Sequence, residues 1–210
     1  MGDGKRGDAL HSAVSLQLAM VFKPTAAALL TTSLLAITPA VLAAPPEQTL
    51  ALQGVTFTLN ATGEGSTQTL EVKTSEQGHA YPVITEQVDG SVSGAEVEDL
   101  NSDGRPELVV FVVGAGSGSY GSVLAWSVSK GHTLLPINLL ALTDRQAKGY
   151  MGHDRFALVE TSLVRVFPIY REGDSNARPT GGIRQIDYKL VPGEASWQFR
   201  PVRTTDAPAP

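Results

Sequence analysis

The sequence predicts an all-β protein, an antiparallel β-sandwich (a double β-sheet layer) with short helical connections. Three observations carry this reading. Apolar residues alternate at period two along most of the chain, as in Val55-Thr-Phe-Thr-Leu59, which puts every second side chain on one face of a strand. Such runs recur at intervals of roughly 8 to 15 residues, the spacing of sandwich and barrel strands. Turn-forming residues separate them, drawn from 21 glycines and 13 prolines.

Taken in order, the chain opens on a leader. Residues 25–43, TAAALLTTSLLAITPAVLA, are apolar and uncharged, follow Lys23, and end with Val41 and Ala43 three places and one place before a cut. A cut after Ala44 would put Pro45 on the scissile bond, so residues 1–43 are expected to be a signal peptide cleaved after Ala43. Pro39 interrupts the short apolar core, which disfavours a membrane anchor. Residues 1–19 are long and mixed for a leader, and Met20-Val-Phe-Lys is a more usual start. Export implies a periplasmic protein with no membrane attachment after cleavage. The absence of cysteine excludes disulfides, thiolate chemistry and a lipidated cysteine. Sixteen basic against 21 acidic residues give a net charge of -5, which disfavours nucleic acid as a partner.

Residues 44–210 are expected to form a single β-domain. Strands are predicted over residues 55–59, 67–72, 83–88 and, more weakly, 92–97. Leu108-Val-Val-Phe-Val-Val113 is a continuous apolar run, the mark of a strand buried on both faces, and residues 123–128 are its hairpin partner. Further strands are predicted within residues 156–160 and 163–168, and a second hairpin over 182–191 and 196–202. Residues 134–150 alone leave room for a helix, a short one. Residues 203–210 are expected to be a flexible tail. Trp126 and Trp197 fall in apolar strand patterns and should be core residues.

Four stretches carry candidate chemistry. In Asp99-Leu-Asn101-Ser-Asp103-Gly104-Arg105-Pro-Glu107, oxygen donors alternate around a glycine. Asp99, Asn101, Asp103 and Glu107 side chains with the Arg105 carbonyl could wrap a calcium ion. The twelfth position is Val110 rather than Glu, so this is no EF-hand. The competing reading is a tight turn in which Asp and Asn side chains bond the local backbone. Calcium is the only cofactor suggested. Gly114-Ala-Gly116-Ser117-Gly118-Ser119-Tyr120-Gly121-Ser122 joins two apolar strands and should project as a hairpin loop. It formally contains GxGxxG, but a strand follows where a dinucleotide site needs a helix. It lacks GxSxG, so no nucleophile elbow is indicated. It offers Tyr120 among small hydroxyls and glycines, a composition suited either to entering a partner's cleft or to a loose connection.

His153-Asp154, within Gly149-Tyr150-Met-Gly152-His153-Asp154-Arg155, hints at acid-base work, yet no nucleophile accompanies it and strand neighbours face opposite ways. Tyr150 is a candidate secondary contact. Residues 171–182 form a long polar loop, read as a solvated connection or as a further contact. His79 and His132 form no metal-ligand spacing. No enzyme activity is expected.

The string DLNSDGRPELVVFVVGAGSGSYGSVLAWS, followed by GYMGHDRFALVETSLVRVFPIY, EGDSNARPTGGIRQIDYKL and VPGEASWQF, resembles the periplasmic inhibitors of invertebrate-type (I-type) lysozyme. The similarity spans about residues 95–199, an inhibitor-like core. The resemblance implies a homodimeric β-protein that evades host defence by inserting an SGxY loop into the lysozyme's active-site cleft. That pattern is complete here as Ser117-Gly118-Ser119-Tyr120, with Ser117 and Tyr120 as principal inhibitory residues and Gly118 and Ser119 shaping the loop. The expected partner is therefore an I-type lysozyme. The alternative is a calcium-dependent adhesion or carbohydrate-binding module built on residues 99–107.

Overall fold

The computed structural model describes residues 47–208. The expected leader over residues 1–43, and the alternative start at Met20, lie outside them. The described chain runs β1 (Gln48–Leu52), β2 (Val55–Thr62), β3 (Thr67–Glu76), β4 (His79–Ala80), β5 (Ile84–Asp89), β6 (Ser91–Glu98), β7 (Glu107–Val113), β8 (Gly121–Val128), β9 (Leu134–Leu139), α1 (Asp144–Ala147), β10 (Arg155–Val159), β11 (Ser162–Pro168), β12 (Ile183–Pro192) and β13 (Trp197–Ala207). The protein is all-β, built of two sheets, as the alternating pattern requires.

The smaller sheet is β1-β2-β3, with β4 and β5 sharing the far edge of β3. The larger sheet has the order β10-β11-β12-β13-β9-β8-β7-β6. It curls towards closure, because Glu96 on β6 accepts a hydrogen bond from the Leu158 amide on β10 at 3.2 Å. All pairings are antiparallel except β9 with β13, where Trp197 stands opposite Ile137.

β7 explains why the fold has two cores. Leu108, Val110 and Val112 pack with Phe57, Leu70, Val72 and Trp126 between the two sheets. Val109 and Phe111, on the opposite face, pack with Leu163, Phe167, Ile186, Tyr188 and Phe199 inside the curl of the larger sheet. Each fully buried side chain of this size contributes about 1.5–3 kcal/mol. From Leu108 onwards an uninterrupted apolar run is thus required, since neither face of the strand meets water. Trp126 is buried, and Trp197 packs against the second core.

The short helix expected within residues 134–150 is α1, four residues started by a capping box between Thr143 and Gln146, while residues 134–139 of that stretch form strand β9. Pro136 suits an interior helical position badly, by about 3 kcal/mol, while the strands on either side supply pairing partners. Residues 203–207, expected as tail, continue β13 to the pair Ile183 and Ala207. They are exposed and show no apolar alternation, so burial left no pattern to read. The β12 ladder holds them, with ion pairs Arg203–Asp187 at 2.5 Å and Arg184–Asp206 at 2.7 Å.

Candidate functional site

The β7-to-β8 hairpin places residues 114–120 at the end of the larger sheet. The Gly114 amide donates to the Tyr120 carbonyl at 2.8 Å, which closes the loop at its base. The Ser119 amide donates to the Gly116 carbonyl at 2.9 Å, which makes the turn at its tip. Ser119 takes φ +42°, in the left-handed region. Gly118 leaves room for the Tyr120 ring: a Cβ there would lie 2.5 Å from its Cε2, so the ring would have to shift. Tyr120 therefore folds over its own loop yet stays 54% exposed, and Ser117 is exposed beside it.

Residues 149–154 support this loop from below. The His153 amide donates to the Gly118 carbonyl at 2.6 Å. Gly152, at φ +90°, lets the two backbones meet, since a Cβ there would sit 2.1 Å from the Gly118 oxygen. The Tyr150 ring stands edge-on to Tyr120, centroids 5.6 Å apart at 84°, and packs in turn on Phe167. Tyr150 is thus half-buried scaffolding beneath Tyr120, while neighbouring Met151 is 41% exposed.

Asp154 is the hub. Its carboxylate accepts from Arg165 Nε at 2.7 Å, the Tyr150 hydroxyl at 2.5 Å and the Gly121 amide at 2.9 Å. Arg165 also donates to the Tyr150 oxygen at 2.8 Å and lies over the rings of Tyr150, Phe156 and Phe167. Burial, then the Asp154 bond, push the Tyr150 hydroxyl's pKa upwards, so it remains a neutral donor. A third segment reaches the loop tip: Asn176 Nδ2 donates to the Ser117 carbonyl at 2.7 Å.

The adjacent His153 and Asp154 do not face one another. Asp154 turns to Arg165, and His153 Nε2 meets Asn176 Oδ1 at 3.1 Å. Sequence reasoning brought Ser117, Gly118, Ser119, Tyr120 and Tyr150 to notice, and the fold brings all five together. It passed over Asp154 as a hub, Arg165, Asn176 and Met151. One of these had a readable signal: Arg165 occupies the buried phase of β11, between Leu163 and Phe167, where a charge needs a partner.

The stretch of residues 99–107 lies well apart in the chain. Asp99 accepts the amides of Asp103 and Gly104, Asn101 Oδ1 accepts the amide of Asp103, and Asp103 accepts that of Arg105. These are the bonds of the local-turn reading, and they engage side-chain oxygens of Asp99, Asn101 and Asp103. Among the described residues no group of three or more His, Asp or Glu is placed to hold a metal ion. Glu107 is fully buried, accepting from the Leu100 amide at 2.8 Å and the Ser127 hydroxyl at 2.8 Å. Burial, reinforced by the neighbouring Asp103 and Asp99 charges, pushes its pKa up to about 7 despite those two bonds.

Compared with known proteins, the chain matches no curated protein. A family profile does match, over residues 74–148, from the end of β3 to just beyond α1. This span starts earlier than the resemblance read from the sequence and ends before residues 149–154, yet it contains the whole of loop 114–120. The profile is described as PliI, periplasmic lysozyme inhibitor of I-type lysozyme, and residues 74–148 of the chain are similar to that family.

Proposed function

We propose that the protein inhibits lysozyme, of the I-type by preference, by inserting Ser117-Gly118-Ser119-Tyr120 into the enzyme's active-site cleft. The observation that carries this reading is the loop itself: an exposed tyrosine and serine on a hairpin whose tip carbonyls are tied back by His153 and Asn176. A glycosidase cleft offers two carboxyl groups that act as acid and as base or nucleophile. The hydroxyls of Ser117 and Tyr120 can donate to such groups without bringing a competing charge. A tied loop also loses less conformational freedom on binding than a free one. The protein acts by occlusion and performs no catalysis of its own. In the periplasm it would protect peptidoglycan from a host's lysozyme, and it would do so as a homodimer.

The test is lysis of peptidoglycan by I-type, chicken-type and goose-type lysozymes, with and without the purified protein. Loss of I-type activity alone is expected. Tyr120→Ala should weaken that inhibition by at least about 1 kcal/mol, roughly fivefold, the usual scale of an interface anchor. A variant inhibiting at full strength would remove the loop from the mechanism, and inhibition of another class would correct the target.

A further inference from the structure

We propose that Asn176, 59 residues beyond Ser117 in the chain, is a positioning residue that sets the geometry of loop 114–120 through the Ser117 carbonyl. The inference rests on the reading of this loop as the inhibitory element. Three of its first five residues are glycine, which favours many backbone conformations over one. Its two internal bonds accept at Tyr120 and Gly116, so neither holds the carbonyls of Ser117 and Gly118 at the tip. Each of those carbonyls is instead taken by a different neighbouring segment: Gly118 by the His153 amide, Ser117 by the Asn176 side chain. With both oxygens turned back into the protein, the tip has one defined orientation, and Ser117 and Tyr120 face outwards.

Asn176 is itself held. The Tyr170 hydroxyl donates to the Asn176 backbone carbonyl at 2.9 Å. His153 Nε2 lies 3.1 Å from Asn176 Oδ1, and the His153 ring stacks on Tyr170. With Nε2–H donating to the oxygen, the amide nitrogen is the end left to face Ser117. The surrounding segment is closed by Asp174, which accepts the amides of Arg171 and Thr180 and the Thr180 hydroxyl. Asn176 lies outside the strand ladders, so its replacement leaves both sheets paired.

The experiment is amide exchange and lysozyme inhibition on the whole purified protein, with Asn176→Ala, Asn176→Asp and Tyr120→Ala. Exchange at the Ser119 amide, which reports the tip turn, should accelerate roughly fivefold in Asn176→Ala, the equivalent of about one hydrogen bond. Asn176→Asp keeps the size of the side chain but has no N–H for Ser117, and should behave likewise. Inhibition should weaken by a similar roughly fivefold factor, and by clearly less than that when Asn176→Ala is added to Tyr120→Ala, because both act through one loop. Unchanged exchange at Ser119 in either Asn176 variant overturns the proposal. Fully additive losses overturn it too, since they would mean that Asn176 touches the lysozyme directly. Accelerated exchange with inhibition intact in every variant would uphold the positioning and discard the inhibitory role of the loop.

Discussion

Replacing Asp154 by alanine removes three interactions at once, and the structure allows the loss to be sized. The Arg165 side chain is 9% exposed and the Asp154 side chain 0%, so the pair is a buried one. Removing one partner of a buried ion pair costs about 3–5 kcal/mol, because the remaining charge is left in a poor solvent. Two features favour the lower end of that range. Arg165 would keep its bond to the Tyr150 hydroxyl, and it would keep three aromatic faces at 5.0–5.4 Å. For a domain of this size each kcal/mol lowers Tm by about 2–4 °C, so a fall of about 6–12 °C is expected. Differential scanning calorimetry reads it directly. Asp206→Ala is the matched control. Its carboxylate is 51% exposed, and Arg184 would keep the carbonyls of Arg145, Gln146 and Lys148, so a loss of no more than about 1 kcal/mol is expected. At temperatures where Asp154→Ala is still folded, inhibition should also weaken, because Gly121 at the loop base and Tyr150 beneath Tyr120 lose their anchor. A Tm within about 2 °C of the parent, or a larger fall for Asp206→Ala, would refute the assignment of Asp154 as the hub.

Two further outcomes follow from the same geometry. Glu107 has a folded pKa of about 7 against an ordinary 4.5, so the folded state binds its proton more tightly than the unfolded chain. Its contribution is complete below pH 4.5 and is lost as pH rises through 7, by roughly 3 kcal/mol in all. Glu107→Gln should remove that slope from the difference between the two proteins' urea stabilities, and an unchanged slope would locate the titration elsewhere. Gly152→Ala and Gly54→Ala separate clash from backbone strain. Both glycines have positive φ, but a Cβ at Gly54 meets nothing within 4 Å whereas at Gly152 it meets the Gly118 oxygen. Each should show a strain cost of about 1–3 kcal/mol, with Gly152→Ala losing more and losing inhibition as well; equal losses would mean that the loop yields freely.

How much of this was legible in advance depends on what each element answers to. β7 was readable because two cores bury all its faces, and β2 because Val55, Phe57 and Leu59 alternate with half-exposed residues. β9 and the end of β13 were not, because their exposed or mixed residues are held by ladder bonds and ion pairs to strands distant in sequence. The candidate loop was visible as composition: glycines and serines around one tyrosine, between two apolar strands. What holds it was not, since Asp154, Arg165 and Asn176 reach it from three separate segments and share no local spacing. The sequence by itself determined the all-β character, the place of the hairpin and the identity of the residues at its tip, because alternation, turn chemistry and side-chain type are local properties. Only the tertiary structure decided that the hairpin is held in one shape, because hydrogen bonds to the Ser117 and Gly118 carbonyls depend on where other loops arrive in space.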